Sequence, residues 1–259
     1  LYIHIPLCVK KCSYCDFLSF PSDDATKERY VNALCEEIRA NKENAEEYTV
    51  ETVYFGGGTP SVMSVEQIEK IFGTVLDTFS VRGFEDETPG KKEKKEKKKS
   101  RFGKKKAEEP EQTETPEERL QRVLNGELAE VTIEVNPGTA DREKFTALYE
   151  LGFNRLSMGL QSAVASELSC LGRIHTKEQF AACVKAAREA GFRNISGDLM
   201  SGLPGQTEET LTESIRFLLA QQPEHISVYS LQIEDGTEFA KRYGEDGPEK
   251  VLLPDEDAD

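Results

Sequence analysis

Short apolar runs rich in β-branched residues alternate along the chain with longer segments whose apolar positions recur at helical spacing. The runs predict strands, and the longer segments predict amphipathic helices. The predicted strands are Leu1–Pro6, Thr52–Phe55, Val131–Val135, Arg155–Leu160, Ile195–Leu199 and His225–Leu231. The predicted helices are Lys27–Asn41, Val65–Thr78, Asp141–Leu151, Lys177–Ala190 and Glu208–Gln221.

Capping residues at the ends of these helices support the pattern. Ser64, with Gln67 three residues later, forms a capping box before one helix, and Thr207 is a cap for another. Gly152 and Gly191 follow two helices, where a left-handed residue is common. Six strands alternating with helices predict an α/β fold of parallel units, either a barrel or an open sheet. In both architectures the functional site lies at the carboxyl ends of the strands.

One charged segment, Glu85–Arg119, interrupts this alternation. It contains a lysine-rich block followed by an acidic block with two prolines, and it has almost no apolar residues. Such a segment buries too little apolar surface to offset the entropy lost on ordering, so we predict a disordered insertion. A localisation signal or an RNA-binding tail is the alternative. The predicted organisation is an α/β domain in two parts, 1–84 and 120–244, split by this insertion and followed by the start of a truncated C-terminal region at 245–259.

Charge and composition exclude several functional classes. The net charge is −15, and the eleven basic and two acidic residues between Lys91 and Lys106 leave −24 on the remainder of the chain. A body this acidic is unsuited to following a phosphate backbone, so nucleic acid is not an expected partner. No apolar run approaches the roughly 20 residues of a membrane helix, so no membrane span is expected. The chain opens on a strand-like run and no signal peptide is evident; we expect a cytoplasmic protein, or a mitochondrial one if a transit peptide precedes Leu1.

Half of the six cysteines fall within the eight residues Cys8–Cys15. A disulfide framework spreads its cysteines through the domain, whereas this spacing favours a metal or cluster site in a reducing compartment. The other three, Cys35, Cys170 and Cys183, lie in helical stretches and are expected to pack in the interior.

Cys8, Cys12 and Cys15 form a CxxxCxxC loop directly after the first predicted strand. Zinc sites usually have four ligands in paired knuckles, and the sequence offers no second pair. Iron–sulfur clusters are the other common site for grouped thiolates. A [4Fe–4S] cluster held by three cysteines leaves one iron open to a small molecule. We favour such a cluster, with zinc and an incidental cysteine-rich loop as the alternatives.

Further motifs lie in a fixed order along the chain. Tyr2–Pro6 precedes the loop, at the first strand. The motifs after the loop are Gly56–Pro60, Glu134–Pro137, Ser157–Ser162, Leu171–His175 and Asp198–Gln206. With the CxxxCxxC loop, this ordered set resembles the oxygen-independent coproporphyrinogen III oxidase-like family of radical S-adenosylmethionine (SAM) proteins. The resemblance extends from Leu1 to about Phe239, apart from the insertion. It implies a partial (β/α)6 barrel with the cluster and SAM at the carboxyl ends of its strands.

The resemblance also implies a chemistry and a set of site residues. Cys8, Cys12 and Cys15 would hold the cluster, whose open iron binds the amino and carboxylate groups of SAM. One electron from the cluster then cleaves a C–S bond of SAM, which produces methionine and a 5′-deoxyadenosyl radical. The implied SAM-binding positions are Tyr2, Tyr14, Gly57, Gly58, Thr59, Glu134, Gln161, Arg173 and Asp198. The last three match positions that contact a second SAM in the oxidase branch of the family.

Several of these positions have simpler explanations. The glycines at 57–58 let the backbone approach a ligand, or serve a tight turn alone. Glu134, a lone acid at the end of an apolar strand, binds SAM or pairs with a structural partner. Tyr2 and Tyr14 contact SAM or pack beside the loop. His4 fits a core histidine as well as a site residue.

The residues after Cys15 distinguish two branches of the family. The oxidase branch usually extends the motif to CxxxCxxCxC, whereas Asp16 and Phe17 follow here, as in the heme-chaperone branch. We therefore expect a protein that binds heme as well as SAM and delivers heme to acceptor proteins, with an electron donor as a further partner. The alternative is an oxidase that converts two propionate side chains of coproporphyrinogen III to vinyl groups.

Overall fold

Six parallel strands form the central sheet of the computed structural model, which describes residues 1–45, 47–84, 114–250 and 253. The strands lie in chain order and each pairs in parallel with the next, so every connection is a crossover of the same type. The predicted α/β fold with a parallel sheet is confirmed. The strands are β1 (Tyr2–Ile5), β2 (Thr52–Gly57), β3 (Glu130–Val135), β4 (Arg155–Gln161), β5 (Ile195–Ser201) and β6 (His225–Ser230).

Helices connect the strands. They are α1 (Asp24–Ala40), α2 (Val65–Thr78), α3 (Pro116–Leu124), α4 (Arg142–Glu150), α5 (Ala165–Leu171), α6 (Lys177–Ala190), α7 (Glu208–Ala220) and α8 (Glu238–Tyr243), with short helices at Lys42–Ala45 and Pro60–Val62. Two small two-stranded sheets pair Leu7–Cys8 with Phe20–Pro21 and Thr49–Val50 with Ser80–Val81.

The predicted caps are confirmed, and they set the helix ends. Ser64 and Gln67 form the expected capping box, and α2 and α6 have the predicted bounds. The helix α1 begins three residues earlier than predicted, because the carboxylate of Asp23 accepts the backbone N–H of Thr26. The sequence did not predict α5 and α8, since helices of seven and six residues are too short for a clear helical period.

The predicted disordered insertion at 85–119 is wrong for its last six residues; the rest of it, 85–113, lies outside the described residues. Thr115 caps α3 through a capping box with Glu118. Glu114 bonds to Arg119 and Arg122 at 3.0 and 2.8 Å. These local contacts order an acidic stretch that its composition alone would leave unfolded.

Alternation along the strands separates a packed face of the sheet from a polar face. In β3, Val131, Ile133 and Val135 join the main hydrophobic core, whereas Thr132 and Glu134 fall on the opposite face. The other inner strands repeat the pattern, so their apolar side chains pack against the helices and their polar ones collect on one surface. That surface carries the candidate site. Within the described residues, none of the helices is both long and apolar enough to cross a membrane.

Candidate functional site

A cavity of about 390 Å³ opens on the polar face of the sheet, towards the carboxyl ends of its strands. Eleven of the twelve predicted site residues line it: Cys8, Cys12, Tyr14, Cys15, Gly57, Gly58, Thr59, Glu134, Gln161, Arg173 and Asp198. Tyr2 is the exception. Its ring is exposed, stacks on Tyr54 at 6.0 Å between centroids, and its hydroxyl lies 3.2 Å from Nδ1 of His4.

The cysteine loop is held in place by α5 and α8. The N–H of Ser13 donates to the carbonyl of Leu171, and the N–H of Phe239 donates to the carbonyl of Ser13, both at 3.0 Å. Tyr14 packs on Phe239 with 6.3 Å between ring centroids, and its burial raises its pKa. Gly172 has a φ of +73°, which favours glycine at the end of α5, and a Cβ there would lie 2.8 Å from Oγ of Ser13 in the loop.

The donor set fits the predicted cluster. All three loop cysteines are free thiols, half-buried, and they line the same cavity. Among the residues that the structure describes, no three His, Cys, Asp or Glu side chains are grouped to hold one metal ion. A [4Fe–4S] cluster does not need such a group, because its thiolates bind different irons. The three-thiol loop thus suits the predicted cluster.

Glu134 is a partly buried carboxylate with one fixed partner on each oxygen. Tyr54 donates its hydroxyl to Oε1 at 2.8 Å, and the N–H of Gly57 donates to Oε2 at 3.0 Å. Burial raises the pKa of Glu134, and these two hydrogen bonds oppose that rise. Each carboxylate oxygen keeps a further lone pair for a ligand donor. Glu134 is therefore both structurally paired and available to the cavity.

The glycines at the end of β2 have a structural role, which the sequence left open. Gly57 has a φ of +113°, and a Cβ there would lie 2.5 Å from the ring of His4. At Gly58 a Cβ would lie 2.8 Å from the carbonyl oxygen of Leu7. The turn therefore needs glycine for close packing against the first strand and its loop, in addition to any ligand contact.

Gln161 and Arg173 line the cavity beside a bulge at the end of β4. The sheet register shifts between Gly159 and Gln161, and Gln161 has a φ of +68°, a conformation that costs roughly 1–3 kcal/mol for a residue with a side chain. Nη2 of Arg173 donates to Oδ1 of Asn136 at 2.7 Å and to the carbonyl of Gly159 at 2.9 Å. Sequence reasoning missed Asn136, although it lies within the quoted Glu134–Pro137 motif.

Asp198 lies on β5 among serine hydroxyls. Ser157 donates to its Oδ2 at 3.1 Å, and Ser196 lies 3.5 Å from its Oδ1. Burial raises the pKa of Asp198, against the effect of these hydroxyls. Sequence reasoning missed Ser157, since a serine on a strand carries no signal of its partner.

The raised pKa of Asp198 predicts a stability gain on neutralising it. A carboxyl whose folded pKa exceeds its unfolded value weakens folding at pH values above the folded pKa, and this penalty vanishes below the unfolded pKa. We expect Asp198→Asn to raise the melting temperature of the metal-free protein at pH 7 and to lose that advantage near pH 3. Thermal unfolding at both pH values tests this, with the exposed Glu47→Gln as the control. An equal gain at both pH values would contradict the charge argument.

Comparison with known proteins identifies the family. Residues 2–218 match the Radical SAM superfamily model. The chain is 34% identical to the heme chaperone HemW of Haemophilus influenzae, covering 100% of this chain and 55% of that protein. It is 33% identical to HemW of Bacillus subtilis, covering 92% of this chain and 52% of the relative. The chain therefore spans about half the length of the curated relatives it matches.

Solved structures agree on the fold. Coproporphyrinogen III oxidase (HemN) from Escherichia coli matches with a TM-score of 0.73 at 24% identity, over 99% of this chain and 48% of that one. The radical SAM methyltransferase TsrM from Kitasatospora setae matches with a TM-score of 0.54 at 13% identity, over 91% of this chain and 37% of that one. With the superfamily model matched over most of its length and three cysteines facing the cavity, the chain belongs to the radical SAM superfamily.

Proposed function

We propose that this protein is a heme chaperone that binds a [4Fe–4S] cluster, SAM and heme, and passes heme to an acceptor protein. The proposal rests mainly on the identity of residue 17, which is Phe17 here and a further cysteine in the oxidase branch. Phe17 lines the cavity and is 67% exposed, so the side chain at this position faces the site. The relatives that share the full length of the chain and are named heme chaperones support the same assignment.

Membership of the superfamily implies the cluster and SAM, and the cavity offers residues for both. Cys8, Cys12 and Cys15 would hold the cluster. Glu134 would accept hydrogen bonds from the polar end of SAM, and Asp198 would accept them from ribose hydroxyls. When bound together, the cluster supplies the electron for reductive cleavage of SAM. The protein's part is to orient both groups and to exclude water.

The proposal also includes heme as a ligand, and an electron donor and a heme-acceptor protein as partners. We also propose a reducing, cytoplasmic setting, because all six cysteines are free thiols and three of them line the site.

One anaerobic assay separates the chaperone from the oxidase alternative. The reconstituted protein receives SAM, a strong reductant and coproporphyrinogen III, and porphyrin products and methionine are quantified together. We expect no vinyl-bearing product. Heme titration of the same preparation should then show saturable binding by its Soret band. Vinyl product would establish the oxidase, and the absence of heme binding would overturn the chaperone proposal.

A further inference from the structure

A chain of side-chain hydrogen bonds, formed by residues that line the cavity, links two of the three loop cysteines. It runs from Cys8 through Thr59, Asn136 and Arg173 to Cys12. The two end contacts are Thr59 Oγ1 to Cys8 Sγ at 3.6 Å and Arg173 Nη1 to Cys12 Sγ at 3.8 Å. These distances suit weak hydrogen bonds to sulfur, whose acceptor orbitals are large.

The geometry leaves the hydroxyl proton of Thr59 directed at sulfur. Thr59 is only 4% exposed, and its N–H is used by the carbonyl of Leu7 at 2.7 Å. Nδ2 of Asn136 donates to Oγ1 of Thr59 at 2.8 Å and so fills an acceptor position of the hydroxyl. The hydroxyl has a single proton, and its donor contact is Cys8.

Arg173 is fixed in the same way. Its Nη2 is held between Oδ1 of Asn136 and the carbonyl of Gly159, which leaves Nη1 beside the thiol of Cys12. A Cβ at Gly159 would lie 2.9 Å from Nη2 of Arg173, so the absence of a side chain at Gly159 leaves room for the guanidinium. The amide of Asn136 therefore contacts both donors at once, with its N–H₂ towards one and its carbonyl towards the other.

We propose that Thr59 and Arg173 donate hydrogen bonds to the cluster thiolates of Cys8 and Cys12, and that Asn136 is the positioning residue that orients both donors. The inference rests on the cluster proposed above. It gives Thr59 and Arg173 a role towards the thiolates, whereas the sequence resemblance assigned them to SAM. Donors to cluster sulfur stabilise the more negative, reduced form and so raise the reduction potential.

The test is an EPR-monitored redox titration of the reconstituted full chain without SAM. We expect Thr59→Val and Arg173→Met each to shift the potential to more negative values. Asn136→Ala should also shift the potential to more negative values, because the Asn136 amide orients the two donors. Thr59→Ser keeps the hydroxyl and should keep the wild-type potential. Thr132→Val, the same change at a buried threonine on β3, is the matched control and should leave the potential unchanged.

The outcomes separate this inference from the function on which it rests. A wild-type protein that assembles no cluster would overturn both. A wild-type cluster whose potential is the same in Thr59→Val and Arg173→Met would overturn the inference alone. Equal shifts in Thr59→Ser and Thr59→Val would also overturn it, because the effect would then follow from altered packing and not from the hydroxyl.

Discussion

Cys12→Ala should abolish the brown [4Fe–4S] absorption of the anaerobically reconstituted protein. Three thiolates are the smallest set that holds such a cluster with one iron open, so the loss of one leaves two irons without a protein ligand. We expect iron and sulfide contents to fall to background, as measured by chemical analysis with the visible spectrum.

Cys170→Ala is the matched control for this change. Cys170 is also a half-buried free thiol, but it lies on α5 and contacts the hydroxyl of Tyr243 at 3.5 Å. Its loss should leave the cluster intact. Unchanged iron and sulfide in Cys12→Ala would show that the loop is not the cluster site.

Gly57→Ala should destabilise the metal-free protein by about 2 kcal/mol or more. The φ of +113° alone costs roughly 1–3 kcal/mol for a residue with a side chain, and the new Cβ would lie 2.5 Å from the ring of His4. Urea unfolding measures the change in the free energy of unfolding. We expect the same variant to weaken cluster assembly, since His4 also contacts the segment that follows the cysteine loop: its Nε2 lies 3.0 Å from the carbonyl oxygen of Leu18.

Gly73→Ala provides the opposite expectation in the same protein. Gly73 lies inside α2, and a Cβ there would have no heavy atom within 4 Å. Alanine in a helix interior is favoured over glycine by up to about 1 kcal/mol, so this variant should be more stable than the wild type. A Gly57→Ala protein as stable as the wild type would show that the turn adapts without cost.

A residue can be paired within the protein and still face the cavity, although these two explanations were alternatives in the sequence. Glu134 is paired with Tyr54 and with the N–H of Gly57, yet it still lines the cavity. Gly57 is required by the ring of His4 and also contributes to the cavity wall. Fixing a polar group with protein partners is what prepares it to meet a ligand without further reorganisation.

Most of the strands and the longer helices followed from local pattern. β4 and β5 begin at the predicted residues, and α2 and α6 match the prediction at both ends, because capping and apolar spacing act over a few residues. The local pattern did not predict the short helices α5 and α8, which form backbone hydrogen bonds with the cysteine loop. The ordered residues 114–119 were also missed, since their composition hides a capping box and two ion pairs.

Local patterns in the sequence were enough to predict the alternation of strands and helices, the three-cysteine loop and the ordered motifs that resemble the family. Which side chains contact one another depends on the tertiary fold. Arg173 reaches Cys12 from 161 residues away, and Thr59 reaches Cys8 from 51 residues away. Such contacts form because the parallel crossovers place distant strands side by side in one sheet. The local preferences that place a helix or a turn do not specify which distant segments become neighbours. For this reason the links from Asn136 to Thr59 and Arg173 became visible only once the strands were side by side.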